Sequence, residues 1–269
     1  MDVSIIIVNY NTYKLTSNCI NSIIFNTKEI SYEIILVDNN SVEPEVISYE
    51  DLFPSIKVVR LKENGGFAKG NNAGIRVAEG NYLLLLNSDT LLKENSIKIT
   101  YDYLKKYPKV GVVSARLIFP DGTHQSVAQR FPSIRYQLIE LFRLQKFLPR
   151  HIGGKLLLGS FFNHKYNTAV DWVWATYFMF PKKILLQLKD NKLDESFFMY
   201  QEDMKWCKDI KNIGYEVHFC AETEVIHLMG GSSGPKQSLL EINYKLFLER
   251  HYPPIHLFLI NILNKILNK

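Results

Sequence analysis

Paired cysteines, phosphate-loop glycines and a leader-like start are all missing from this 269-residue chain, and each absence argues against a class of function. The three cysteines, Cys19, Cys207 and Cys220, show no Cys-x-x-Cys spacing. That speaks against a disulfide scaffold or a structural zinc site and leaves thiols expected to be reduced and buried. No Gly-Lys-Ser/Thr follows a glycine loop, and no Gly-x-Gly-x-x-Gly follows the first apolar run, so neither a P-loop nor a nicotinamide-binding fingerprint is present. Met1-Asp2-Val3-Ser4 carries no basic n-region and no small-residue cleavage site, from which a cytosolic location without a secretory signal is expected. Internal repeats and low-complexity tracts are absent too.

What the chain does have is core-forming material. Its residues are 46% hydrophobic, 13% aromatic and 22% charged, which excludes global disorder and suits one large α/β domain or two small ones. The net charge is +5, unevenly placed: residues 131–165 hold six Lys/Arg against Glu140, and residues 236–269 hold five against Glu241 and Glu249. The remainder is net negative. A basic surface confined to two segments points to an anionic partner at one face, a lipid headgroup or a phosphate, and away from a nucleic-acid binder.

Short apolar runs at Val3–Val8, Ile34–Val37, Ile56–Leu61 and Tyr82–Leu86 alternate with polar-patterned stretches, the signature of parallel strands buried on both faces. Leu15, Cys19, Ile20, Ile23 and Ile24 fall at helical spacing behind Thr12, an expected N-cap. Further helices are expected near 68–78 and 93–107, and a fifth strand near Val110–Ala115. Beyond Arg116 the pattern changes: Phe119–Thr123 reads as a hairpin turn, and 131–165 as an inserted helix and loop. Val170–Phe180 is expected to be one strand stopped by Pro181, followed by helices near 182–188 and 202–213 and a strand at Tyr215–Cys220. The tail from Ser238 is helical in composition and broken at Pro253-Pro254. Its apolar part, 255–267, falls short of the roughly 20 residues that cross a bilayer; it suits a helix lying on a membrane or packed on protein.

In an open parallel sheet, ligands bind beyond the carboxyl ends of the strands. Those ends carry Asn9-Tyr10-Asn11, Asp38-Asn39-Asn40-Ser41 and Asn87-Ser88-Asp89-Thr90. Each alone is ordinary turn chemistry, but three together at one sheet edge form a candidate site. The segment Asn64–Asn72 sets paired glycines before a helix, where backbone N–H groups are expected to approach a diphosphate.

These segments, with Val170-Asp171-Trp172, Phe197–Asp203 and His227, resemble in order the motifs of the GT-A fold glycosyltransferases of family 2, especially rhamnosyltransferase-like bacterial members. The resemblance runs from Val3 to about Gly231. It implies a GT-A domain over 1–235, with a nucleotide-sugar half (1–115) and an acceptor and catalytic half (116–235). A C-terminal helical segment, 236–269, able to associate with a membrane, follows. It also implies donor binding by Asn9, Asn11, Asp38 (at the nucleobase), Asn40, Gly66, Phe67, Asn71, Asn87 and Asp89. Asp89 becomes the metal-binding acid of an Asp-x-Asp-type motif written here Asn87-Ser88-Asp89, with Mg²⁺ or Mn²⁺ as cofactor and His227 completing the shell. Asp171, Trp172 and Trp174 would line the acceptor sugar; Trp174-Ala175-Thr176 stands where the family more often has a small Ser-Gly-Ala-like run. Asp203 is the implied general base and Glu202 its neighbour, the two roles being exchangeable on sequence alone.

The function so implied is inverting transfer of rhamnose or another hexose from a UDP- or dTDP-sugar to a glycan acceptor, lipid-linked or free. It would take place at the inner face of the cell membrane during surface polysaccharide synthesis. The alternative is a nucleotide-sugar-binding docking subunit without catalysis, which the incomplete acidic motif would fit.

Overall fold

The computed structural model describes residues 1–42, 47–229 and 236–267. Its first half alternates strand and helix: β1 (Val3–Asn9), α1 (Tyr13–Asn26), β2 (Tyr32–Asp38), α2 (Tyr49–Leu52), β3 (Lys57–Arg60), α3 (Gly66–Val77) and β4 (Tyr82–Asn87). A three-residue strand, β5 (Thr90–Leu92), α4 (Ser96–Lys106) and β6 (Val110–Ile118) follow. After β7 (Ala128–Gln129), the basic insertion forms α5 (Ile134–Leu141) and α6 (Arg150–Leu157). The remaining elements are β8 (Thr168–Val170), β9 (Trp172–Val173), β10 (Tyr177–Pro181), α7 (Glu202–Asn212), β11 (Glu216–His227), α8 (Lys236–His251) and α9 (Pro254–Ile266).

The central sheet runs β3-β2-β1-β4-β10-β6-β11-β5, with β8 paired to β11. β1, β2, β3 and β4 are parallel, and β10 enters antiparallel between β4 and β6. β1 and β2 are apolar on both faces because helices cover both, and Ile5, Ile6, Ile7, Ile35, Leu36 and Val37 are inaccessible to solvent. Helix α3 packs closely on this sheet. A Cβ on Gly74 would lie 2.5 Å from Ile6 Cγ2, and one on Gly70 2.8 Å from Val8 Cγ1. Gly74→Ala is therefore expected to push α3 off the sheet and cost about 1–3 kcal/mol, read as a lower denaturation midpoint with unchanged slope.

Several elements differ from the sequence expectation. The 170–180 run is three strands, not one: β8 pairs with β11, β9 with β7, and β10 with β4 and β6. Apart from Asp171 and Thr176 it is apolar, so its periodicity carries little information about which neighbour each part finds. The strand expected at 215–220 continues to His227 through register shifts, because β5 supplies a partner for its last residues. Residues 182–187 form a 3₁₀ helix. Thr12 occupies the N-cap of α1 but does not cap it with its side chain; the Thr12 hydroxyl donates to Asn9 Oδ1 instead. The expected boundary at 235/236 lies at the edge of residues outside those described. Beyond it, Phe247 and Leu248 of α8 and Ile260 of α9 share a small core with Phe197 and Met204.

Candidate functional site

The parallel register brings three strand ends together. Asn9 lies opposite Asp38 in the β1–β2 ladder, and Val8 opposite Asn87 in the β1–β4 ladder. From there a chain of side-chain hydrogen bonds spans the edge. Asn9 Nδ2 donates to Asp38 Oδ1 (3.0 Å) and to Ser41 Oγ (3.0 Å), while Asn9 Oδ1 accepts from the hydroxyls of Thr12 (2.8 Å) and Thr16 (2.9 Å). Thr12 Oγ1 in turn meets Ser88 Oγ at 3.1 Å. One network thus ties the acid after β2 to the Asn87-Ser88-Asp89 turn.

His227 reaches that turn because the end of β11 pairs with β5: His227 stands opposite Thr90, and Leu228 N–H donates to Asp89 O at 2.9 Å. Its Nε2 lies 3.4 Å from Asp89 Oδ1. Gln125 fixes the ring. The Gln125 amide nitrogen donates to the His227 carbonyl (2.8 Å), so its oxygen, 2.7 Å from Nδ1, must accept the Nδ1 proton. In the neutral ring Nε2 then presents a lone pair to a carboxylate oxygen, an arrangement that calls for a cation between them or a proton on the ring. Carboxylate oxygen with imidazole nitrogen is a donor set suited to Mn²⁺ or Mg²⁺. No third His, Cys, Asp or Glu among the described residues joins them.

Across the cavity, α7 begins with Glu202 and Asp203. Two consecutive non-glycine residues before it, Tyr200 (φ 67°) and Gln201 (φ 71°), adopt left-handed backbone, a costly turn of the kind found where geometry serves function. The Asp203 carboxylate accepts from Met204 N–H (2.8 Å) and Ala175 N–H (3.4 Å). Burial pushes its pKa up to about 6, the two N–H bonds opposing the rise. Glu202 is driven well above the ordinary carboxylate range, first by burial and then by the neighbouring Asp203 charge, and its Oε2 has no hydrogen-bond partner among the described residues. Of the two, Asp203 therefore ionises first.

These groups face one cleft of about 410 Å³, within the range of small-molecule sites. Its lining combines polar groups, Thr12, Asn39, Asn64, Asn87, Ser88 and Asp89, with apolar ones, Trp172, Trp174, Met199, Met229 and Leu240. Glu202, Asp203 and His227 lie on its wall.

A family model for glycosyl transferase family 2 matches residues 4–171, well over half of the sequence. The chain belongs to that family. Glycosyltransferase GlyG of Streptococcus pneumoniae is 31% identical over 109 residues, covering 39% of this chain and 35% of the relative. Minor teichoic acid biosynthesis protein GgaB of Bacillus subtilis is 28% identical over 148 residues, 52% of this chain and 16% of the relative. The chain thus spans about a third of the first and a sixth of the second. A crystal structure of GalNAc-T7 with UDP, GalNAc and Mn²⁺ superposes with a TM-score of 0.65 at 16% identity, covering 92% of this chain and 48% of that one. The architecture is the GT-A fold.

Against the residues expected of a family 2 member, the placement is uneven. Gly66, Phe67, Asn87, Asp89, Trp172, Trp174, Glu202, Asp203 and His227 line the cleft. Asn9 and Asp38 are not among the lining residues; they are hydrogen-bonded to each other and, through Thr12, to Ser88 on its wall. Asn11 and Asn40 hold left-handed turns (φ 54° and 63°) at the loop crests, and Asn71 is buried, its amide donating to Phe67 O. Asp171, expected at the acceptor sugar, instead accepts from Lys211 Nζ (3.1 Å) and Phe131 N–H (3.1 Å) behind the β9 strand.

The glycine loop does not offer its N–H groups outward as expected. Gly65 N–H donates to Asn39 Oδ1 (3.0 Å), Gly66 N–H to Asn64 Oδ1 (3.0 Å) and Phe67 N–H to Phe198 O (2.8 Å). Gly66 is required for another reason: at φ +82° its Cβ would lie 2.3 Å from Phe198 O. The sequence reading missed Gln125 altogether; it named Thr12 only as a helix cap, and Ser88, Tyr200 and Gln201 only as members of motifs, with no role of their own.

Proposed function

We propose that this chain transfers a sugar, rhamnose or another hexose, from a UDP- or dTDP-linked donor to a glycan acceptor with inversion, as part of cell-surface polysaccharide synthesis. The names of GlyG and GgaB and the UDP and Mn²⁺ in the GalNAc-T7 structure support this reading. The observation that carries it is the cleft itself. An ionisable, hydrogen-bonded Asp203 and the Asp89–His227 pair face one space from different walls.

In this reading Asp203 removes the proton of the acceptor hydroxyl. The freed oxygen pair forms the bond to the anomeric carbon while the bond from that carbon to the diphosphate breaks, the electron pair leaving with the diphosphate. Protonated Glu202 offers an O–H donor to orient the acceptor. Trp172, fixed by its Nε1 donation to Arg130 O (3.0 Å), and Trp174 offer faces to sugar C–H groups. Asp89 and His227 would hold the divalent cation, which when bound neutralises charge on the departing diphosphate. Asp38, with capacity left on its carboxylate beyond Asn9 and Ser41, would accept from the nucleobase edge. We further assign residues 1–235 to the transferase domain and 236–269 to a segment that holds it at a membrane.

Calorimetric titration with UDP, dTDP, GDP and ADP tests the donor site. UDP or dTDP is expected to bind selectively, about tenfold more tightly with Mn²⁺ and about tenfold more weakly in Asp38→Ala. Absence of binding by all four would sink the proposal.

A further inference from the structure

No acidic residue occurs between Glu140 and Asp171, while Arg143, Lys146, Arg150, Lys155 and Lys165 fall in that span. Within its first part, 142–152, large apolar side chains are exposed: Phe147 is 86% exposed and Phe142 64%, and Leu144 and Ile152 are also exposed. Helix α9 shows the same pattern. It turns Ile260 and Leu263 into the protein, yet Ile255, Phe258 (63% exposed), Leu259, Ile262 and Ile266 repeat at helical spacing on its outer side. It too lacks any acid and carries Lys265. Helices α5 and α9 pack against each other, Gln137 Nε2 donating to Asn264 Oδ1, and α5 leads directly into the exposed 142–155 stretch.

We propose that the 142–155 segment and the outer side of α9 form one docking face for an anionic lipid bilayer. Exposed aromatic and aliphatic side chains interleaved with lysine and arginine, and free of acids, match an anionic interface in both its apolar and its charged layer. A protein partner offers no such reason for the complete lack of carboxylates. No helix among the described residues is long and apolar enough to cross a membrane, and α9, at 13 residues, is about 20 Å long, so it lies in the interface plane. The face deepens the functional reading: Leu240 of α8 lines the cleft, and α8 and α9 share a core with Met204 beside Asp203, so an acceptor anchored in the same bilayer would enter on the α8 side.

The lipid face itself does not depend on the transferase reading, and its test needs no donor. Full-length protein is to be floated with phosphatidylcholine vesicles and with vesicles containing 30% phosphatidylglycerol, at low and high salt, beside Phe147→Glu/Phe258→Glu. Binding is expected only with phosphatidylglycerol, falling at least about tenfold at high salt and to background in the double variant. Equal melting temperatures and equal UDP affinity in wild type and variant would show that the fold and donor site survive. Failure of the wild type to bind anionic vesicles, or undiminished binding by the variant, overturns the proposal. So does a dimer in sedimentation that these substitutions abolish, since a second copy would then cover the face.

Discussion

Asp203→Asn is expected to lower kcat by about 10³-fold while leaving UDP affinity within about twofold of wild type. Asparagine keeps one oxygen, enough for the shorter bond from Met204 N–H, and gives up only the longer one from Ala175 N–H (3.4 Å), so the start of α7 stays in place. What is lost is a group that can take a proton. The pH profile supplies a second arm. With the Asp203 carboxyl pushed up to about 6 by burial, kcat/KM for the wild type should rise with pH through about 6 and then level off. Stability runs the other way. A carboxyl whose pKa is higher folded than unfolded binds its proton more tightly in the native state, so its contribution to stability falls as pH rises from about 4 towards 6. The asparagine variant escapes that loss, and its melting temperature at pH 7.5 should equal or exceed that of wild type. A variant that melts lower and retains transfer would make Asp203 a structural acid and not the base.

The same residues show how far sequence alone reaches. Buried parallel strands write themselves as unbroken apolar runs, so β1, β2, β4 and the register that gathers Asn9, Asp38 and Asn87 at one edge were legible. The order of events within Glu202-Asp203 was not. It depends on which carboxylate meets backbone N–H groups, and one of these, Ala175 N–H, comes from a largely apolar run whose strand breaks leave no periodic signal. The glycine loop misled for a related reason. Paired glycines before a helix suit an anion, but Asn39 and Asn64, themselves turn residues, took the N–H groups first. Gln125 left no trace at all, because a glutamine between two loops has no local pattern; it matters only once β5 and β11 bring His227 beside Asp89.

Asp89→Ala is expected to remove the response of UDP binding to Mn²⁺ and to lower kcat/KM by about 10²- to 10³-fold. The reason lies in the two acceptors that face each other. The Gln125 amide, oriented by its bond to the His227 carbonyl, holds the imidazole proton on Nδ1, and Nε2 looks at Asp89 Oδ1 across 3.4 Å. Either a divalent cation lies between them or the ring is protonated and the two form an ion pair. The outcomes differ. If the pair holds a cation, EDTA abolishes transfer in the wild type, added Mn²⁺ restores it, and neither treatment affects Asp89→Ala. An ion pair alone would leave transfer indifferent to EDTA, and removing Asp89 would then leave His227 buried beside an absent partner, with a lower melting temperature and little change in metal response. Because Asn87 stands at the first position of the motif, Asp89 is the one carboxylate among the described strand-end residues that line the cleft, and Asn87 beside it cannot supply the charge.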